Sequence, residues 1–212
     1  MTSASASRPD KHPLLSGPIL PTLLKLSAPN VLAMTMAVAV GVAETWYIGL
    51  LGTGPLAAMA LVFPFNMLTQ MLSSGAMGGG VSSAVSRALG AGDDARARTL
   101  AFHATVIGAI AGLVYTFLFL TFGPALYAML GGKGQVLADA VAYGGTLFCG
   151  ATLVGLMNAL ASGVRGTGNM RVPSVTILIT SALQIVVGGV LCLGLGSAPA
   201  LGLQGIAIGN IV

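Results

Sequence analysis

Glu44 is the one acid of this sequence that stands inside a long apolar run, with AVAVGVA before it and TWYIGLL after it. The other acids, Asp10, Asp93, Asp94 and Asp139, lie in polar segments or at the edge of an apolar one. Counted from the middle of its run, Glu44 sits about five residues toward the C-terminal end, about 7 to 8 Å off centre at 1.5 Å per helical residue. An ionised carboxylate at that depth of hydrocarbon costs several kcal/mol, and the usual relief is protonation or a cation partner. A carboxyl that takes up a proton or cation from one side and gives it up to the other is what an ion-coupled carrier requires. The bland alternative is a hydrated interfacial carboxylate beside Trp46 and Tyr47, themselves the residue types of an aromatic belt.

A second set of polar groups sits at helical spacing. Asn66, Thr69, Gln70, Ser73 and Ser74 stand at offsets 0, 3, 4, 7 and 8 and therefore share one helical face. In lipid that face turns inward, either to line a water-filled cleft or to hydrogen-bond neighbouring helices. Thr176, Thr180 and Gln184 repeat the idea in steps of four. Cys149 and Cys192 lie in apolar runs and read as packing residues, and His12 and His103 lack the clustering a metal site needs. No Ser/His/Asp set, P-loop or carboxylate pair is visible, so the chain is not read as an enzyme and no cofactor or metal is expected.

The elements that must position these groups follow from composition. The chain has 212 residues, of which 55% are hydrophobic and 7% charged, against roughly a quarter charged in a soluble domain. Such a chain cannot cover a water-facing surface. Long uncharged runs predict helices over about 27–50, 55–86, 97–122, 136–163, 173–195 and 201–212. The fold class is therefore all-α, a six-helix transmembrane bundle over 27–212 preceded by a tail over 1–26. Gly90 and Gly92 are expected to stop one helix, Asp93 or Asp94 to cap the next, and Pro173 to sit in a first turn. Gly108 and Gly112 form GxxxG, and Gly75 and Gly79 repeat that spacing, both read as packing motifs. Pro64, between Phe63 and Phe65, predicts a kink. The last segment, from Leu201 to Val212, spans about 18 Å as helix and is too short to cross, so the chain reads as a piece of a longer protein or as ending in a re-entrant segment.

The arginines and lysines set orientation. With these spans Arg8, Lys11, Lys25, Arg87, Arg96, Arg98, Arg165 and Arg171 fall on one side and only Lys133 on the other. The positive-inside rule then places the N terminus in the cytoplasm of a multi-pass protein of the cell inner membrane, and it accounts for the net charge of +4 without nucleic acid.

Four stretches, LSAPNVL (26–32), AETWYIGLLGTGPLAAMAL (43–61), SRALGAGDDARAR (86–98) and GVRGTGNMRVPS (163–174), give the chain a resemblance to the N-terminal lobe of the multidrug and toxic compound extrusion (MATE) transporters. The resemblance implies a twelve-helix exporter made of two six-helix lobes around a central cleft, driven by proton or sodium entry and expelling organic cations and drugs. The acid of the family's first helix, usually Asp followed by Thr, falls on Glu44 and Thr45. The fifth helix departs from the pattern, its common Asn and the Asp four residues later falling on Gln184 and Gly188. What is expected is a secondary active antiporter with Glu44 as the coupling carboxylate and Asn66, Gln70, Ser73 and Gln184 lining the cleft. Its partners would be the bilayer, a small amphipathic cation, a coupling H+ or Na+, and a second six-helix lobe. The alternatives are a lipid-linked saccharide flippase of the same superfamily, for which no Arg-rich cavity is visible, and a non-transporting truncated chain or membrane scaffold.

Overall fold

A computed structural model describes residues 18–195 and 199–211. Most of the tail expected over 1–26 lies outside the described residues, but helix α1 already begins at Ile19 and runs to Leu51, with Pro29 inside it. Pro21 falls in the first turn of α1, where a missing N–H removes no intrahelical bond. The helix ends at Gly52, whose φ of +115° is strained for any residue with a Cβ.

A single residue thus joins α1 to α2, Thr53–Gln70, which continues through a π-wound stretch, Met71–Met77, into α3, Gly78–Gly90. Pro64 lies inside α2, and the winding departs from α geometry further on, in MLSSGAM, where Ser74 Oγ donates to the Gln70 carbonyl at 2.6 Å and Gly75 adds a weak helix former. The three pieces make one apolar rod of 38 residues, about 57 Å long, so it outreaches a 30 Å core. Gly92, at φ +74°, turns the chain, and Asp93 Oδ1 accepts from the Arg96 backbone N–H at 2.9 Å to cap α4, Asp94–Met129. Helix α4 does not stop at Phe122 as the sequence led us to expect. It carries Pro124 internally and continues to Met129, about two turns further, which a membrane helix tolerates when neighbouring groups take up the freed carbonyl.

The fourth span is broken. Helix α5, Gly134–Cys149, passes through Gly150 into α6, Ala151–Gly166. At Gly150 an added Cβ would collide with Ile211. Asn169 Oδ1 then accepts from the Arg171 and Val172 backbone N–H groups to start α7, Arg171–Leu193, with Pro173 in its first turn. Gly194 closes α7 in the left-handed conformation, and α8, Leu203–Ile211, follows. Among the described residues, five spans are long and apolar enough to cross a bilayer: Ser27–Leu51, Thr53–Gly90, Asp94–Met129, Gly134–Gly166 and Arg171–Leu193.

Lipid chains are as apolar as leucine, so helices here are held by close packing and polar bonds rather than by water exclusion. Helices α4 and α6 meet on Gly108 and Gly112. A Cβ on Gly108 would lie 3.0 Å from the Gly155 carbonyl oxygen, and one on Gly112 would collide with the Thr152 backbone. Thr116 Oγ1 ties the same helix to the Phe148 carbonyl at 2.7 Å, and the Phe119 and Phe148 rings stack at 4.1 Å. Gly75 and Gly79 do not act in this way, because nothing lies within 4 Å of a Cβ built on either. That spacing repeats without a helix against it. The core is continuous from α1 to α8 through Ile48, Val62, Tyr127, Tyr143, Phe148 and Ile206.

Candidate ion and substrate site

Glu44 is half-buried on α1, and its surroundings come from helices far away in sequence. Its Oε1 accepts from Gln184 Nε2 of α7 at 2.9 Å and from Asn210 Nδ2 of α8 at 2.7 Å. Glycines allow the three helices to meet. The Tyr47 ring of α1 lies against Gly189 of α7, 2.8 Å from where a Cβ would be, and a Cβ on Gly209 of α8 would stand 2.8 Å from the Gly188 Cα. Gly188 is where the family resemblance implied a second carboxylate. In this chain the backbone of α8 closes onto that position, and an amide from α8 reaches Glu44 instead.

Two N–H donors on one carboxylate oxygen favour its charged form locally, and each such bond to a charged acceptor is worth about 1.5 to 3 kcal/mol. Both donors are neutral, however. No lysine or arginine pairs with Glu44 among the described residues, so the negative charge itself stays uncompensated by protein.

Beside Glu44 opens a cavity of about 690 Å³ between α1, α2 and α5. Trp46 and Phe63 form its aromatic rim, Met59 and Val62 part of its floor, and Asn66 and Tyr143 its further polar groups. The Thr45 hydroxyl at its edge is turned back to the Gly41 carbonyl at 2.8 Å. Trp46 and Tyr47 contact each other with ring centroids 5.4 Å apart, and Trp46 stays largely exposed. An apolar, aromatic hollow with one acid is a chemical match for an amphipathic cation, which aromatic faces and a carboxylate both attract.

The five residues expected at the site are divided by the structure. Glu44 and Asn66 line the cavity, and Gln184 bonds Glu44 from behind. Gln70 is exposed, and Ser73 Oγ accepts from Asn158 Nδ2 of α6 at 3.2 Å, well away from Glu44 along the rod. Thr69, Thr176 and Thr180 spend their hydroxyls on their own helices' carbonyls. Sequence reasoning missed Asn210 and Asn158. Asn158 is the lone amide of α6, while Asn210 shares the short α8 with Gln204, and neither repeats at helical spacing with other polar groups as Gln184 does with Thr176 and Thr180. Cys192 is buried and Cys149 exposed, and no group of three or more His, Cys, Asp or Glu among the described residues could hold a metal ion.

A family model described as MatE matches residues 29–190. The FAD transporter of Shewanella oneidensis is 30% identical over 202 residues, which are 95% of this chain and 44% of that protein. The multidrug export protein MepA of Staphylococcus aureus is 25% identical over 195 residues, 92% of this chain and 43% of that one. Among solved structures, a transporter of the MOP superfamily from Pyrococcus furiosus superposes with a TM-score of 0.84 at 28% identity, covering 94% of this chain and 43% of its own. An outward-facing multidrug resistance transporter of the same superfamily gives 0.82 at 28% identity, covering 89% and 41%. The chain spans less than half the length of the relatives it matches.

Proposed function

Because the chain belongs to the MatE family, whose model covers most of it, we propose that it is one lobe of a secondary active efflux transporter, an antiporter exporting organic cations in exchange for protons or sodium. The observation that carries this reading is Glu44, a carboxylate within a membrane span that is bonded only to neutral amides among the described residues and opens on an aromatic cavity. The amides reduce the cost of its charge without removing it. A bound proton, Na+ or organic cation removes it, and only one of them at a time. Competition for one carboxylate is the elementary step of exchange: the coupling ion displaces the exported cation, and the reverse on the other side.

In this reading Gln184 and Asn210 hold the Glu44 carboxylate in place, and Asn66 and Tyr143 offer polar contacts to substrate while Trp46 and Phe63 cover its apolar part. A second six-helix lobe completes the cleft. A flavin dinucleotide, named for one relative, carries phosphates and calls for basic residues, whereas the cavity is lined by Glu44 and no lysine or arginine. That difference favours the cation. The polar end that holds Arg98 and Thr167 faces the cytoplasm of the inner membrane by the positive-inside rule.

The test is ethidium efflux from cells expressing this chain alone and together with a second lobe, wild type against Glu44→Gln. The amide keeps the shape but exchanges no proton and attracts no cation. Efflux that needs both lobes and vanishes in the variant, at unchanged membrane insertion, supports the reading. A variant that pumps normally removes Glu44 from the mechanism.

A further inference from the structure

A second hollow, of about 490 Å³, lies at the other end of the molecule between α3, α4 and α6. Its position follows from how α4 and α6 separate. They touch through backbone at Gly108 and Gly155, but nearer the polar end they are spaced only by small side chains, a Cβ on Gly163 standing 3.8 Å from the Ala101 Cβ. Val85 and Leu89 of α3 and Leu160 of α6 make the walls. The hollow runs along α4 from Asp94 to Thr105, about 16 Å of helix, which is the depth of one leaflet of a 30 Å core. At its deep end the Thr105 hydroxyl is turned to the Ala101 carbonyl at 2.9 Å, leaving that end apolar.

The rim is different. Asp94 and Arg98 line it together, four residues apart on one helix, a spacing at which opposite charges commonly pair. Here they do not: neither side chain has an ion-pair or hydrogen-bond partner among the described residues. Nor is Asp94 needed as the helix cap, since Asp93 fills that place. One unpaired acid and one unpaired base, at the mouth of an apolar groove of leaflet depth, complement a ligand with the opposite pair of charges and a hydrocarbon tail.

We propose that this groove binds a phospholipid whose headgroup carries a phosphate and a primary ammonium, the phosphate on Arg98, the ammonium on Asp94 and an acyl chain along Ala101 and Gly163. Arginine forms forked hydrogen bonds to phosphate oxygens, and an ammonium with N–H donors bonds a carboxylate. A quaternary ammonium has no N–H to give. A purely anionic headgroup would gain from Arg98 but set its charge against Asp94.

The experiment is native mass spectrometry of the purified, delipidated chain titrated with phosphatidylethanolamine, phosphatidylcholine and phosphatidylglycerol of identical acyl chains. Both substitutions used, Asp94→Asn and Arg98→Gln, are at exposed positions. Wild type is expected to retain phosphatidylethanolamine about tenfold more tightly than either of the others, the size of one charge-assisted hydrogen bond. Asp94→Asn should bring phosphatidylethanolamine and phosphatidylcholine to within about twofold of each other, and Arg98→Gln should weaken both about tenfold. Equal retention of the two by wild type, tighter retention of phosphatidylglycerol, a preference that survives in Asp94→Asn, or undiminished binding by Arg98→Gln overturns the assignment.

Discussion

The seam between α4 and α6 and the meeting of α1, α7 and α8 at Glu44 are both built on glycine, yet they use closeness for opposite ends. At the seam, Gly108, Gly112 and Gly155 bring two backbones into contact and leave no room for anything else. At Glu44, Gly189, Gly188 and Gly209 bring three helices together so that two amides converge on one charge, while α1 and α2 stay apart and leave a cavity. Small residues by themselves therefore do not say whether a region is scaffold or site. What they bring together does.

The largest effect expected from breaking this contrast is at the seam. Gly112→Leu places a side chain into the Thr152 backbone and should cost about 3 kcal/mol, seen as a large drop in the thermal midpoint of the purified chain in detergent. If the midpoint holds, the seam is looser than its geometry. Next is Asn210→Leu, which removes one donor from Glu44. It should shift the coupling-ion concentration for half-maximal efflux about tenfold while moving the thermal midpoint little, since the site is a place of function more than of packing. A collapse in stability with no change in ion dependence would make Asn210 a scaffold residue like those of the seam. Thr116→Val deletes the hydroxyl bonded to the Phe148 carbonyl and should cost about 1 kcal/mol by the same thermal measurement. The smallest effect should come from Tyr127→Phe. The buried Tyr127 hydroxyl, packed against Gly144, has no hydrogen-bond partner among the described residues, so its removal should be neutral or slightly stabilising.

Much of the architecture is legible before any coordinates, because a bilayer demands long uncharged helices and the sequence has nothing else to offer. The capping of α4 by Asp93 and the start of α7 before Pro173 follow from local chemistry alone. The break at Gly150 does not, because glycine is frequent in every span and only the arrival of Ile211 against that position marks it out. The continuation of α4 past Pro124 is hidden for a similar reason: in lipid, proline is a weaker stop signal than in water.

At the site, Glu44 stands out in one dimension because a lone acid in an apolar run has no cheap explanation. The polar face from Asn66 to Ser74 is harder to read. Its alignment assumes an α-helical period throughout, and the π-wound stretch beginning at Met71 changes the period where Ser73 and Ser74 stand. Asn66 stays on the cavity side, while Ser73 is carried to Asn158. Asn210 could be recognised only with α8 folded back along α7, a contact between residues 166 positions apart in sequence.

Trp46, described above as part of the cavity rim, is also the only tryptophan of the chain. Its intrinsic fluorescence therefore comes from one address, beside the candidate coupling carboxylate and with its ring largely exposed. This chain carries its own optical probe: a change in emission on adding a cation, or quenching by a brominated lipid, reports on that cavity without a label.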